Sequence, residues 1–463
     1  MDLSIDILPP RLLEIAGEIN RSGGSIYLVG GWVRDFLMEK PCHDFDLEVY
    51  GLEMEQLFNI LVRHAKPNLV GKAFGIITMS LDGTQFDFAF PRTESKTGPG
   101  HKGFAVTADP SLGFEVASSR RDFTINSMGI RIPGMELADY HGGLRDLKAK
   151  VLRHVSGAFS EDPLRVLRAV QFAARFEFDI APETQELCRR LPLGELPMER
   201  IYGEFKKLLL KAPRPSVGME WLRKLGLLEY FPELKALIGV EQEPEWHPEG
   251  DVWTHNNMVL DEAAKLRREE HGDFENMALM LGALCHDLGK PLATAFVDGK
   301  WRSPGHDVRG EVPTRALLDR LTRETALVET VVGFVREHLK PALLYNAREE
   351  VKPSAIRRLA LRVDIEKLVR VATADHFGRT TPDAMAREFP AGAWLLEQSR
   401  LLNVLESKPK PYLTGKYLLS LGMPPGPAVG KIIAESFELQ LEGALPNAEA
   451  AEAWARERLS TGL

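Results

Sequence analysis

Short runs in which apolar and polar residues alternate fill the first third of the chain: SIYLVGG (25–31), FDLEVYG (45–51), GIITMSL (75–81) and FDFAFP (86–91). Alternation of that length predicts strands, and helical stretches between them make residues 1–140 a mixed α/β head. The period then lengthens. Leu164, Leu167, Val170 and Ala174 recur at three- and four-residue spacing, and RIYGEFKKLLL (200–210) continues in the same style, so residues 141–238 are predicted as an all-helical neck. GVEQEPEWHPEGD (239–251) is rich in Pro, Gly and Glu, has no period, and reads as a linker. Helical spacing resumes over 252–385, with histidines and aspartates at intervals, and a turn-rich stretch around LESKPKPYLTGKY belongs to a last helical module, 386–463. The predicted class is α+β: one α/β head followed by all-α domains.

Composition narrows the setting. A chain of 463 residues is too long for one ordinary core and suggests about three domains. With 44% hydrophobic and 27% charged residues it has the make-up of a soluble globular protein, and no window carries the roughly 18 uninterrupted apolar residues of a membrane helix. The start, MDLSIDILPPRLLEIAGEIN, has acids where a secretory signal has a basic region, so a cytoplasmic protein with no membrane partner is expected. Cys42, Cys188 and Cys285 form no C-x-x-C pair, which argues for cytosolic thiols rather than a disulfide framework or a zinc ribbon. The net charge of −8 would count against a nucleic-acid partner, but basic residues cluster in RRDF (120–123), RVLRAVQFAAR (165–175), FKKLLLKAPR (205–214) and AIRRLALR (355–362).

The candidate chemistry begins at VGGWVRDFLMEKPCHDFDLEVYG (29–51). Side chains at i and i+2 of a strand share a face, so Asp44 and Asp46 stand side by side while Phe45 turns inward. Two carboxylates so placed repel unless a cation lies between them, and an all-oxygen site suits Mg²⁺ that also holds substrate phosphates. Gly30 and Gly31, after the strand, let the backbone approach an anion closely and open a helix whose first NH groups favour negative charge. Phosphate on one side and metal on the other is the arrangement of nucleotidyl transfer. Asp87 in FDFAFP lies on a second strand as a third carboxylate or a structural residue.

These residues resemble the nucleotide-binding motif of the bacterial-type tRNA nucleotidyltransferase and poly(A) polymerase superfamily. RRDFTINSM (120–128), SEDPLRVLRAVQFAARF (160–176) and MERIYGEFKKLL (198–209) resemble the family's next motifs in its order. The resemblance implies a nucleoside triphosphate with its phosphates near Gly30, Gly31 and Arg34, over Mg²⁺ held by Asp44 and Asp46. Arg120 and Arg121 offer forked donors to a triphosphate, and Asp122 with Asn126 would fix the ribose or the loop. In SEDPLRVLRA a helix is expected to start near Ser160 to Pro163. Asp162 there is either an N-cap or, with Arg165 on the same helix face, one half of a base reader. An acceptor beside donors matches the amino group and ring acceptors of cytosine or adenine, and the resemblance favours that role. Arg165, Arg168, Phe172 and Arg175 form one basic face, in which Gln171 stands where relatives carry arginine. The GKAFG pattern at 71–75 is of the tRNA type rather than the poly(A) type, and the glycine-rich stretch PRTESKTGPGHKG (91–103) is expected as a mobile loop. The implied partners are tRNA, CTP and ATP. Full CCA addition, addition of A alone and poly(A) synthesis stay open.

A second constellation follows. His255, His286-Asp287, His306, His338 and Asp375 fall on successive helical segments, and imidazole with carboxylate suits Mn, Fe, Co, Ni or Zn better than Mg. The set resembles the HD-type phosphohydrolase superfamily, whose ligands match His255, His286, Asp287 and Asp375, with His306 and His338 completing a two-metal form. Lys290 after the glycine of HDLGKP is placed to neutralise phosphate. The resemblance implies hydrolysis of a phosphodiester or phosphomonoester, such as a 2′,3′-cyclic phosphate at a damaged tRNA end. The contrary reading makes this the principal activity, with the head only binding RNA or nucleotide.

Overall fold

The computed structural model describes residues 5–42, 44–70, 76–96 and 104–460. The 71–75 pattern and residues 97–103 of the glycine-rich stretch lie outside the described residues. The chain divides into two compact units, Met1–Leu208 with Val217–Tyr230, and Leu209–Ser216 with Phe231–Leu463.

The first unit is built on a sheet. Its strands are β1 (Ser25–Val29), β2 (Phe45–Tyr50), β3 (Asn68–Val70), β4 (Ile76–Leu81), β5 (Thr84–Ala89), β8 (Gly129–Ile132) and β9 (Glu136–Ala138), in the order β3-β4-β5-β2-β1-β8-β9, with β6 (Arg92–Lys96) and β7 (Phe104–Ala108) paired as a separate hairpin. The stretch expected as a loop from 91 to 103 therefore begins as a strand, Arg92–Lys96. Among the described strands of this sheet only β2 and β5 run parallel, in the register Asp46↔Asp87. Alternation decides what that pair does: Phe45, Leu47 and Val49 of β2 and Phe86 and Phe88 of β5 are buried, which turns the aspartates to the opposite face. Helix Pro10–Arg21 contributes Leu12, Ile15, Ala16 and Ile19, spaced three, one and three residues apart, to the core. Helix Leu164–Phe176 starts later than the sequence suggested, after a 3₁₀ turn over Gly157–Glu161, and leaves Asp162 in extended backbone just before it.

The second unit is helical. Helices Val252–Lys265, Gly272–Cys285, Thr325–Glu337 and Ile365–Phe377 pack together, and every residue from Asn276 to Cys285 is buried, so that helix is the centre of the unit. The region expected as purely helical also holds a hairpin, Ala295–Val297 with Lys300–Arg302. Helix Pro390–Leu401 packs on Ile365–Phe377, across the domain boundary expected at 385. A further core joins Leu418, Met423, Ile432, Leu445 and Ala451 near the C-terminal end. Among the described residues no helix is long and apolar enough to cross a membrane.

Candidate functional site

In the first unit Asp44 and Asp46 are both exposed, one just before β2 and one within it, and Asp87 sits opposite Asp46 on the neighbouring strand. Partial burial pushes the Asp46 carboxyl above its ordinary value, and Asp87, Asp44 and Glu48 push the same way against the opposing Arg121. Three neighbouring carboxylates, all oxygen donors, form a set that a divalent cation fits. Gly30 is left-handed (φ 67°), and a Cβ there would lie 3.2 Å from Arg121 Nη1 and 3.8 Å from Asp46 Oδ2. Its missing side chain keeps a passage open between the arginine and the carboxylate. Gly31 opens the short helix Gly31–Leu37.

The other predicted residues are already engaged with protein partners. Arg34 is only 4% exposed: Nε donates to Asp35 Oδ1 at 2.8 Å, Nη1 to Asn126 Oδ1 at 2.7 Å, and the guanidinium stacks 4.6 Å from the Phe176 ring centroid. Asn126 Nδ2 donates to Asp122 Oδ1 at 3.0 Å, whose other oxygen accepts from Arg168 Nε at 2.8 Å. Arg168 also faces Glu204 at 3.9 Å. Burial pushes Asp122 up, yet Arg168 with the bonds from Asn126 and Phe123 holds it below the usual carboxylate value. Arg34, Asn126, Asp122 and Arg168 are thus one buried chain of donors and acceptors that fixes the floor of the site. Arg121 Nη2 is 3.4 Å from Glu48, and Arg120 Nη2 2.5 Å from Glu161.

Asp162 is held through both carboxylate oxygens, and the hydrogen bonds of the Arg165 guanidinium go elsewhere. Its Oδ1 accepts from Leu164 N at 3.1 Å, as a cap would, and its Oδ2 accepts from Arg200 Nη2 at 2.7 Å. Arg165 turns both arms of its fork to backbone carbonyls, Ala158 O and Arg120 O, each at 2.8 Å. Arg200 went unnoticed in the sequence because the motif MERIYGEF reads as an amphipathic helix; an arginine on its polar face was the available signal. Gln171 is 1% exposed and faces no solvent.

In the second unit all six predicted residues converge: His255, His286, Asp287, His306, His338 and Asp375, none more than 9% exposed. His255, His286 and Asp287 form one triad whose ligand atoms lie within 4.8 Å of one another; Asp287, His306 and His338 form a second, sharing the aspartate. Asp287 Oδ2 is 3.2 Å from His286 Nε2 and 2.7 Å from Lys290 Nζ, and its Oδ1 is 3.3 Å from His306 Nε2. Asp375 Oδ1 lies 3.1 Å from His255 Nε2. Burial pushes Asp287 and Asp375 up, but the neighbouring His286 and Lys290, and Arg379 respectively, hold both well below the ordinary range; burial and the adjacent histidines push His338 down to about 4. His286 Nε2 and both carboxylate oxygens of Asp287 are buried and turned on one another, on His306 and on Lys290 without a well-aligned hydrogen bond. Buried imidazole nitrogens and carboxylate oxygens crowded into shared triads fit a pair of transition-metal ions. A cavity of about 250 Å³ opens onto them, walled by Trp246, His247, Lys290, Trp301 and Arg379. Sequence reasoning missed His247, Glu249 and Arg379. The first two lie in the stretch read as a linker, although its Gln242 is buried on Lys290 Nζ at 2.6 Å and Glu249 accepts from His247 Nδ1 at 2.9 Å.

Residues 26–153 match the poly A polymerase head domain family, and residues 177–238 the family described as a probable RNA and SrmB- binding site of polymerase A. The multifunctional CCA protein of Pasteurella multocida (strain Pm70) is 37% identical over 394 residues, which is 81% of this chain and 89% of that protein. That of Xanthomonas campestris pv. campestris (strain B100) is 40% identical over 384 residues, covering 79% and 88%. The chain belongs to the multifunctional CCA protein family. Solved structures carry the fold beyond the reach of that identity. The Bacillus stearothermophilus CCA-adding enzyme in complex with CTP covers 98% of this multifunctional CCA family member and 99% of its own chain, at 21% identity and a TM-score of 0.67. The Thermotoga maritima CCA-adding enzyme complexed with tRNA covers 98% and 96%, at 20% identity and a TM-score of 0.57. The mixed head followed by a helical remainder is the architecture of these enzymes.

Proposed function

We propose that this chain completes or repairs the 3′-terminal CCA of tRNA in the cytoplasm, adding CMP and AMP from CTP and ATP and releasing pyrophosphate. The observation that carries the reading is the Asp46/Asp87 register with Asp44 beside it, in a chain related over most of its length to multifunctional CCA proteins. The head family alone would serve a poly(A) polymerase equally well; that long relationship favours tRNA.

Asp44, Asp46 and Asp87 would hold Mg²⁺, which supplies activation of the attacking hydroxyl and charge neutralisation on the phosphates. The tRNA 3′-hydroxyl attacks the α-phosphate in line, a P–O bond forms, and the bond to pyrophosphate breaks. Gly30 keeps the phosphate approach clear, and Arg121, beside it, donates to phosphate oxygens. Arg34, Asn126, Asp122 and Arg168 act through one another to hold that floor rigid. Asp162 accepts from the exocyclic amino group of cytosine or adenine, with Arg200 and Arg165 supplying donors to the ring acceptors. Arg165 must release Ala158 O or Arg120 O to do so.

A primer-extension assay with Mg²⁺ tests this, using tRNA ending before CCA, after C and after CC, each offered CTP, ATP or both. Extension of all three to CCA is expected. A single A added only to the CC end would make the enzyme an A-adding specialist, and a long A ladder on unrelated RNA would make it a poly(A) polymerase.

The two buried triads that share Asp287 support a second activity, hydrolysis of phosphate esters, with a cyclic phosphate at a damaged tRNA end as one substrate. Mn, Ni, Co, Fe or Zn bound to the triads would supply an activated water and polarise the phosphoryl oxygen. Lys290 and Arg379, on the cavity wall, orient the phosphate.

A further inference from the structure

The four predicted ligand histidines of the second unit are not held alike. His286 Nδ1 lies 2.7 Å from Ala283 O, His306 Nδ1 2.8 Å from Ser303 O and His338 Nδ1 2.7 Å from Val335 O. Each is therefore fixed by the carbonyl three residues back, which sets the proton on Nδ1 and leaves Nε2 as a lone pair aimed at the centre. His255, at the fourth position of helix Val252–Lys265, is the exception: its Nδ1 faces a side chain, Glu249 Oε1, at 2.8 Å. Glu249 is buried, its side chain 1% exposed, and the same oxygen is 2.9 Å from His247 Nδ1. Its other oxygen accepts from Thr380 N at 3.2 Å, five residues beyond Asp375.

We propose that Glu249 is a positioning residue of the metal centre: it sets the tautomer and ring angle of His255 and ties that ligand to the segment that follows Asp375. A carboxylate beside Nδ1 keeps the proton there, so Nε2, 3.1 Å from Asp375 Oδ1, presents its lone pair on the metal side. One carboxylate thereby aligns two donors that lie 120 residues apart. Three ligands need no such help because a backbone carbonyl three residues back, Ala283 O, Ser303 O or Val335 O, already holds each. His247 completes the clamp from the side of the cavity, as the second donor to Glu249 Oε1. The inference rests on the reading of this cluster as a metal centre.

The test measures Mn²⁺ and Co²⁺ affinity of the full chain, stripped of metal, by equilibrium dialysis, together with the visible spectrum of the Co²⁺ form. Wild type, Glu249→Gln, Glu249→Ala and, as a reference, Asp287→Asn are compared. Loss of an outer carboxylate of this kind costs about 10- to 100-fold in metal affinity, so that weakening is expected in Glu249→Gln, with a shifted Co²⁺ band. CCA addition and the melting temperature of the metal-free chain should match wild type, which a merely structural glutamate would not allow. Wild-type affinity and an unchanged spectrum in both Glu249 variants, beside a weakened Asp287→Asn, would overturn the positioning role alone. Absence of tight binding in wild type itself would overturn the metal centre, and the role of Glu249 with it.

Discussion

The two constellations of this chain solve the problem of gathered charge in opposite ways. In the head the candidate carboxylates are left open: Asp44 and Asp46 are exposed, and partial burial of the Asp46 carboxyl together with nearby acids raises its proton affinity. On the proposed function, such a site is finished only when metal and triphosphate arrive together. In the second unit the donors are withdrawn from water, and their cost is offset internally, with Lys290 on Asp287, Arg379 on Asp375 and His247 and His255 on Glu249. An open site can accept two nucleotides and a moving RNA end in turn. A closed one fixes its metal geometry in advance and leaves selection to a small cavity.

The largest test of that contrast is to remove one carboxylate from each site. Asp46→Ala should lower CCA addition by about 10³-fold or more, the equivalent of roughly 4 kcal/mol, and leave hydrolysis of a 2′,3′-cyclic phosphate intact. Asp287→Asn should do the reverse. Steady-state rates of both reactions in both variants decide the matter, and a shared loss in either would mean the sites are not independent.

A smaller effect separates them by stability. Ions that bind only the folded chain stabilise it by about 2.7 kcal/mol at a hundredfold excess over the dissociation constant, which is about 5–10 °C for a domain of this size. Adding Mn²⁺ or Ni²⁺ to the stripped protein should raise the melting of the second unit by that amount, with hydrogen exchange slowed along helix Gly272–Cys285. Mg²⁺ without nucleotide should leave the head within about 2 °C, because its carboxylates are open to water. Equal shifts in both units would remove the distinction between a preformed and a substrate-completed site.

What the sequence revealed follows the range of the interactions concerned. The side-by-side placement of Asp44 and Asp46 depends on strand pleating alone and was legible from their spacing. The partnership of Asp87 depends on β5 lying parallel to β2, which no local pattern encodes. The six metal-type residues could be named because each sits in its own short motif, whereas Glu249 could not, since a Pro- and Glu-rich stretch without period looks the same whether it spans a gap or lines a cavity. Arg34, Asp122, Asn126 and Arg168 were found as residues but expected as open contacts. Only the packed structure shows their donors and acceptors answering one another across up to 92 positions of sequence.

That buried chain gives the finest test of the head's side of the contrast. Asp122 has its pKa held below the ordinary 3.8 by Arg168, against the upward push of burial. A carboxylate depressed in the folded state contributes stability in full above its unfolded value, and the contribution is lost as pH falls through the folded one. Wild type should therefore exceed Asp122→Asn by about 2 kcal/mol at pH 7, the scale of a hydrogen bond to a charged group, and the two urea-unfolding curves should converge below pH 4. A gap that stays constant down to pH 3 would mean that Asp122 contributes through shape and not through charge. The floor of the open site would then be held by packing, as the closed site's helices are, and the electrostatic difference between the two would reduce to the exposed carboxylates alone.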